Sequence, residues 1–447
     1  FFLRLQKRVF HTEELIIAKS NSNNEPIINL FKTQWALFTG TVGPNRKLII
    51  YKSERNKNLF YKIGITPQSI ELIKNEAKAL TCIEQLKPEQ FFIPSVQNLQ
   101  SNTIALEDIS NDAFSTLNFT PAHANFLSEL SVKTIHTTKL YSLIKEHNLH
   151  GKLAAINKNT DSRIPHGIGR KLNMLLNSFN DESLHCAMSH GDFTPWNCFL
   201  KGDKLGVYDW ELSQQSMPIG FDMFHFFMQK GILTERKSWS QIYKEMKLAF
   251  SEQEVSKMFH NNEESFHAYL KYYLVFNAIN YLTTYSKQTH WHKQIHWLIN
   301  TWNDALSEML RDKKSHRELL IMDVFDFMNS RSYAAIKFPN LYPEQLSEYS
   351  DIDMCIEKKD WMEIKGFLNQ HPLIAACDLN SKSFMNTAQI MLADASFLSI
   401  DFIWEFKRKS MVMLNQENVL NQIHRNDFGV KTMSDADTAR YLILFYG

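Results

Sequence analysis

Two rhythms of apolar positions run along the chain, one with a period of two residues and one with a period of three to four. Residues 34–41, 47–52 and 58–63 are short apolar runs and predict three strands. The first two are joined by residues 39–46, where Gly40, Gly43 and Pro44 mark a turn. A helix is predicted from Thr66 and Pro67, with Leu72, Glu76, Leu80 and Ile83 sharing one side. Residues 103–109 read as an apolar strand ending in acids. From about 120 to 185 the pattern is helical throughout, with Pro121 at a helix start. Two short runs, 198–200 and 205–208, predict strands joined by a turn at 201–204. Residues 218–227 predict a turn entering an apolar helix. Aromatic-rich helices follow over 235–312, with Phe266, Tyr269, Tyr272, Tyr273 and Phe276 mostly facing a core. A charged run at 311–315 marks a boundary. Beyond it, 318–329 predicts a helix, 349–356 a loop leading into a strand, and 397–404 a strand.

The chain has 447 residues, enough for two or three domains at the usual ~100–200 residues each. The division expected from the pattern is an arm over 1–29, then 30–108, 109–312 and 316–447. Net charge is only +1, so no nucleic-acid partner is expected. Cysteines stand at 82, 186, 198, 355 and 377, an odd count without C-x-x-C spacing. That usage suits free thiols in a reducing compartment, and a cytoplasmic location is expected. No apolar run reaches the ~18 residues of a membrane span. The sequence opens on Phe1 where a full chain would carry Met, so its natural start is expected upstream.

Chemistry concentrates in Ser189-His190-Gly191-Asp192-Phe193-Thr194-Pro195-Trp196-Asn197 and in Gly206-Val207-Tyr208-Asp209-Trp210-Glu211. Pro195 keeps a helix from running through the first stretch. Asp209 directly follows apolar residues, and a carboxylate buried there needs a partner or a cation. A hairpin that returns Asp209 beside Asn197 places two hard oxygen ligands together, which suits Mg²⁺. Asp192 is then left to accept a proton. Lys62 sits inside an apolar strand and also needs a partner. Glu76 on the following helix fits, and Lys52 with Glu71 is the alternative pair. His147 with His150, and His292 with His296, have chelating spacing but no evident third ligand. Packing and solvated helix ends account for them.

These motifs resemble the aminoglycoside phosphotransferase and choline kinase group of kinase-like enzymes. Their loop reads H-G-D-x-x-x-x-N and is followed by a strand ending in D-W-E, and every one of those positions matches. The resemblance implies an α+β, two-lobed protein-kinase-like fold that transfers phosphate from ATP with Mg²⁺ to a small-molecule hydroxyl. It implies that Asp192 is the catalytic base, that His190 braces the loop, and that Asn197 and Asp209 hold Mg²⁺. Lys62 and Glu76 would position the α- and β-phosphates. Gly40 and Gly43 would belong to a loop over the phosphates, although a plain hairpin is an equal reading. Glu211 is left as either a ligand or a structural acceptor. Asp222 would tie the metal strand to the next helix, and the strand over 103–109 would lead to backbone groups that meet adenine.

In the C-terminal region, strand alternation places Asp351 and Asp353 on one face. Asp401, alone in an apolar strand, is a third acid for a two-metal clamp. Tyr342-Pro343, Ser350-Asp351-Ile352-Asp353 and Ile400-Asp401 resemble the nucleotidyltransferase superfamily. The expected architecture is therefore a kinase-like fold followed by a nucleotidyltransferase-like α/β domain. Lys337 stands where that superfamily carries Gly-Ser, and the α/β domain is expected to be incomplete at its C-terminal end.

Overall fold

The computed structural model describes residues 35–40, 43–53, 57–158 and 163–446; the arm expected over 1–29 lies outside them. The chain divides into two compact units. The first takes in Phe1–His147, Asn180–Tyr273 and His292–Thr301, and the second Asn148–Phe179, Leu274–Trp291 and Trp302–Gly447.

The first unit opens with strands β1 (Trp35–Phe38), β2 (Lys47–Ser53) and β3 (Asn58–Gly64). After them come β4 (Phe91–Phe92), β5 (Val96–Gln100) and β6 (Thr103–Glu107). Five of these form an antiparallel sheet in the order β1-β2-β3-β6-β5. Ile50, Tyr61, Ile63 and Ala105 close one core patch of it. The register sets Lys47 opposite Gly64 and Ile49 opposite Lys62, which puts two lysines on neighbouring strands.

Between β3 and β4 runs the helix Pro67–Leu86. Thr66 caps it by accepting from the Ser69 backbone N–H, and Pro67 occupies the first turn, where its missing N–H costs nothing. The buried side carries Ile73, Glu76, Ala77, Leu80 and Ile83. Glu76 is thus placed inside by the same spacing that buries its apolar neighbours.

The expected all-helical stretch over 120–185 is interrupted. Helices Pro121–Thr134, Leu140–Glu146, Leu149–Lys158 and His166–Asn177 are present, but His136–Lys139 is a strand, β7. Its Thr137 and Thr138 are β-branched and suit a pleated surface. It pairs with β8 (Ser183–Ser189), which also pairs with β11 (Gln214–Pro218). The predicted hairpin is β9 (Cys198–Lys201) and β10 (Lys204–Val207), and β10 also runs parallel to β4. Phe221–Gln229 is the expected apolar helix, and every residue in it is buried.

The second unit holds a seven-stranded mixed sheet. Its strands are β12 (Tyr333–Ile336), β13 (Ile352–Ile356), β14 (Ile374–Lys382), β15 (Met385–Leu392), β16 (Phe397–Ile403), β19 (His424–Arg425) and β20 (Lys431–Thr432). Between β16 and β19 the chain forms a separate pair, β17 (Phe406–Arg408) and β18 (Met411–Leu414). The sheet order is β14-β15-β16-β13-β12-β20-β19. Helices Leu149–Lys158 and His166–Asn177 belong to this unit, together with His316–Asn329. Lys171, fully buried, is paired with Asp323, which also takes hydrogen bonds from Asn303 (2.7 Å) and His371 (3.2 Å). A cut at 312–316 would separate Lys171 from that carboxylate. Buried charges require their partners, so the compact units follow the pairing and not the charged run at 311–315. Two helices, Glu263–Tyr285 and Lys293–Leu310, contribute residues to both units. His292 precedes the second of these, so it and His296 are not one turn apart on a helix as expected. Among the described residues no helix is long and apolar enough to cross a membrane.

Candidate active site

The site lies within the first unit, where β2, β3, the helix Pro67–Leu86 and the two motif segments meet. Lys62 Nζ is 2.7 and 2.8 Å from the two carboxylate oxygens of Glu76 and 2.7 Å from Oδ1 of Asp209. Of the two pairs left open by the sequence, this is the one the fold forms; Glu71 is exposed and pairs with Lys74 at 2.7 Å. Lys47, which the sequence reading passed over, is paired with Glu211 and lies 3.9 Å from Asp209.

Burial alone would lower the Lys62 ammonium, but Asp209 and Glu76 outweigh it and hold its pKa above the usual lysine value. Burial alone would raise the Asp209 carboxyl, but Lys62 and Lys47 outweigh it and hold it below the usual carboxylate range. Lys47 is shifted down, chiefly by burial and further by Lys62, while Asp209 opposes. The residues present therefore stand as a charged lattice of two ammoniums and three carboxylates. Among the described residues, Glu76, Asp209 and Glu211 form the one set of three acids whose ligand oxygens lie within 4.8 Å of one another. Three carboxylates against two ammoniums leave a negative charge uncompensated, and hard oxygen donors with excess negative charge fit Mg²⁺.

Backbone geometry places Asp209. It does not end a strand but lies two residues past β10, in the left-handed region at φ +63° and ψ +57°. Such a conformation in a non-glycine residue carries a cost of about 1–3 kcal/mol that surrounding contacts must hold in place. Those contacts are visible. Tyr208 N–H donates to the Asn197 carbonyl at 2.9 Å, extending the β9–β10 ladder to the residue before Asp209. Asn75, on the helix, donates to the carbonyls of Glu211 and Ser213, both at 2.9 Å. Trp210 is fully buried.

The preceding loop is braced by His190 and Asp222. His190 is fully buried; its Nε2 lies 2.6 Å from the Tyr208 carbonyl and its Nδ1 accepts from the Asp192 N–H at 3.2 Å. Because a carbonyl only accepts, Nε2 carries the ring proton. Asp222 accepts from the backbone N–H groups of His190 (2.6 Å) and Gly191 (3.0 Å). It thus fastens the loop to the helix Phe221–Gln229, where a tie to the Asp209 strand was expected. Gly191 has φ +82°, and a Cβ there would meet the Leu212 carbonyl oxygen at 2.1 Å, so this position requires glycine.

Asp192 sits half-open at the loop tip, its side chain 29% exposed. Asn197 Nδ2 donates to its backbone carbonyl at 2.9 Å and to Oδ2 at 3.1 Å. His225 Nε2 is 3.2 Å from Oδ1. Asn197, expected as a metal ligand, is therefore bound through its amide nitrogen to Asp192. His225 was not singled out from sequence. Its signal was a lone histidine in the apolar run Phe221–Gln229, where a buried polar ring must find a partner.

The turn between β1 and β2 contains Gly40 at φ +70°, where a Cβ would come within 2.6 Å of the Lys47 carbonyl. Gly43 has open space around it, and residues 41–42 lie outside the described residues. After β6, the Asp108 N–H donates to the Asn58 carbonyl at 2.9 Å and the Ile109 N–H to the Tyr208 hydroxyl at 2.6 Å. Both backbone donors at the expected adenine-facing segment are thus engaged internally.

In the second unit, Asp353 and Asp401 are direct neighbours on parallel strands β13 and β16. Asp351 is exposed just ahead of β13. Lys337, at φ +52°, lies 3.5 Å from Asp353 and donates to the Tyr446 hydroxyl at 2.9 Å. Burial raises the Asp353 carboxyl, Lys337 opposes, and Asp351 and Asp401 push it up further. The three acids do not converge to the 4.8 Å spacing seen in the first unit.

No family model and no curated protein matches the sequence. Among solved structures the chain is similar to a choline kinase from Streptococcus pneumoniae, at 13% identity over 65% of this chain and 97% of that one, with a TM-score of 0.44. An ADP-bound aminoglycoside phosphotransferase matches at 14% identity over 64% and 97%, with a TM-score of 0.41. A type I macrolide 2′-phosphotransferase matches at 10% identity over 64% and 98%, with a TM-score of 0.42. At these values the likenesses carry no residue's role into this chain.

Proposed function

We propose that the first unit is an ATP-dependent phosphotransferase of kinase-like fold, acting on a hydroxyl of a small molecule. One observation carries this reading: Lys62 bridges Glu76 and Asp209 beside a loop that presents Asp192. Phosphoryl transfer asks a protein mainly for positioning and charge stabilisation, and this lattice supplies both. In this reading Lys62, held by Glu76, meets the α- and β-phosphates, and Lys47 adds a second cation next to it. Gly40 and Gly43 frame the turn over the phosphates. Asp209, with Asn197 and Glu211 close at hand, would hold Mg²⁺, which offsets negative charge on the transferring group when bound. Asp192 accepts the proton of the attacking hydroxyl; the new P–O bond forms as the bond to the β-phosphate oxygen breaks and ADP departs. His190 and Asp222 keep the loop in shape.

The test uses ATP labelled at the γ- or the α-phosphate, incubated with a panel of sugars, amino alcohols and aminoglycosides. Transfer of the γ label alone supports the reading. Absence of γ-label transfer or hydrolysis under any condition contradicts it and favours a nucleotide-binding regulatory module.

The pairing of Asp353 with Asp401 supports a second reading for the other unit, as a nucleotidyltransferase-like domain. Two acids side by side on adjacent strands favour a cation between them. Pyrophosphate release from each of four nucleotides, lost in Asp353→Ala and kept in Asp192→Asn, is the expected result; release that survives Asp353→Ala removes this reading.

A further inference from the structure

His225 and Tyr273 form a buried chain that ends on Asp192. His225 Nε2 lies 3.2 Å from Asp192 Oδ1, and its Nδ1 lies 3.3 Å from the Tyr273 hydroxyl. Both His225 and Tyr273 are fully buried. An ionised carboxylate only accepts, so Nε2 carries the proton. Nδ1 of a neutral ring is then an acceptor, and the phenol must donate to it. Burial, with the charges of Asp222 and Asp192, pushes the phenol well above its ordinary pKa, which keeps that donor in place.

The two oxygens of Asp192 are therefore held from independent elements. Oδ1 is held from the helix Phe221–Gln229, and Oδ2 from the loop through Asn197 Nδ2 at 3.1 Å. A carboxylate gripped by only one oxygen can swing about its Cβ–Cγ bond. Gripped by both, its plane is fixed while the side chain stays 29% exposed. We propose that His225, seated by Tyr273, is a positioning residue that fixes the carboxylate plane of Asp192 for the attacking hydroxyl. This rests on Asp192 being the base. It gives His225, buried in the same helix as Asp222, a task within the reaction beyond filling space.

The experiment uses the full chain with MgATP, water serving as the acceptor and phosphate release as the readout. His225→Leu removes the donor at similar volume. His225→Gln keeps an N–H the same number of bonds from Cα. Tyr273→Phe removes only the hydroxyl behind the ring. Asp192→Asn is run in the same series, and a thermal melt accompanies each variant. The expected result is a kcat loss on the order of 10²-fold in His225→Leu, the scale of a displaced reacting group. KM for ATP should stay near the wild-type value, most of the rate should return in His225→Gln, and Tyr273→Phe should lie between. Wild-type kcat in His225→Leu, with Asp192→Asn inactive, overturns the assignment of His225 and leaves the base in place. Equal loss in His225→Leu and His225→Gln, with both folded, also overturns it, since packing alone would explain that pattern. If His225→Leu does not fold, Tyr273→Phe and His225→Gln decide: wild-type kcat in the former or full loss in the latter counts against the proposal. Wild-type turnover in Asp192→Asn, or none in the unaltered chain, removes the base and this proposal together.

Discussion

Lys62 Nζ stands at 2.7 Å from both Glu76 Oε1 and Asp209 Oδ1, so one ammonium joins a helix, a strand and the segment after the β9–β10 hairpin. Glu76 is fully buried. The pair holds only while both ends stay charged. Lys62→Met should therefore leave an uncompensated buried carboxylate and cost about 3–5 kcal/mol. Urea denaturation of the two proteins at neutral pH measures this. A loss under about 1 kcal/mol would mean that Glu76 is satisfied in some other way.

The pH dependence of that lattice has a definite sign. Asp209 is held below its ordinary range, so its contribution is present above the unfolded carboxylate value and fades as pH falls through the depressed one. Lys62 is held above its ordinary value, so its contribution is present below the unfolded lysine value and is lost only as pH rises through the raised one. Between these limits Asp209 and Lys62 should add no slope to stability; Lys47, held down by burial, adds only a rise as pH climbs toward the ordinary lysine value, and that rise is common to both proteins. A stability difference between wild type and Lys62→Met that changes across pH 6–9, roughly the neutral range, would contradict the assigned charges.

Asp326 should behave in the opposite way. Burial raises its carboxyl to about 6, with Arg170 and Lys171 pulling it back down. It is half-buried, its Oδ1 accepts the Gly167 N–H at 2.7 Å, and its Oδ2 is buried without a hydrogen bond among the described residues. A carboxyl raised on folding binds its proton more tightly in the folded state, so stability falls as pH rises from its ordinary value toward about 6. Asp326→Asn keeps an acceptor for Gly167 and removes the titration. It should flatten the slope over that range and stabilise the chain at pH 7 by on the order of 1–3 kcal/mol. Equal slopes in the two proteins would show that Asp326 is not the group responsible.

Asp209→Asn separates charge from backbone strain. Asparagine tolerates the left-handed region better than alanine does, so the fold should survive the change. Mg²⁺-dependent nucleotide binding should weaken markedly, while binding without Mg²⁺ should weaken little. Calorimetry with and without Mg²⁺ reads both. Unchanged affinity in the presence of Mg²⁺ would move the metal site away from Asp209.

Much of this site was legible because single residues broke a pattern. Lys62 interrupts an apolar strand and Glu76 falls on the buried side of a well-capped helix, so each demanded a partner. Strand alternation pointed to Asp351 and Asp353, whereas the placement of Asp353 beside Asp401 comes from the β13–β16 register, which alternation does not fix. Lys47 was not legible, since its importance comes from the register that sets it two pairs along from Lys62 on the neighbouring strand. The left-handed turn at Asp209 was likewise hidden, because it is held by contacts between segments distant in sequence, from Asn75 and Lys62 among others. The grouping of Leu149–Lys158 and His166–Asn177 with the second unit was out of reach for a different reason. Apolar helix faces announce burial but not what buries them, and the deciding contact, Lys171 with Asp323, spans distant sequence.

Turnover set against binding in Asp192→Asn tests the central claim most directly. Asp192 is proposed to take the hydroxyl proton and is not proposed to hold Mg²⁺ or phosphate. Phosphate release or transfer from MgATP should therefore fall by 10²-fold or more, about the scale of a lost general base. MgATP affinity measured on the same preparation should stay close to the wild-type value. Turnover near wild type in Asp192→Asn, with binding intact, would contradict the phosphotransferase assignment of this loop.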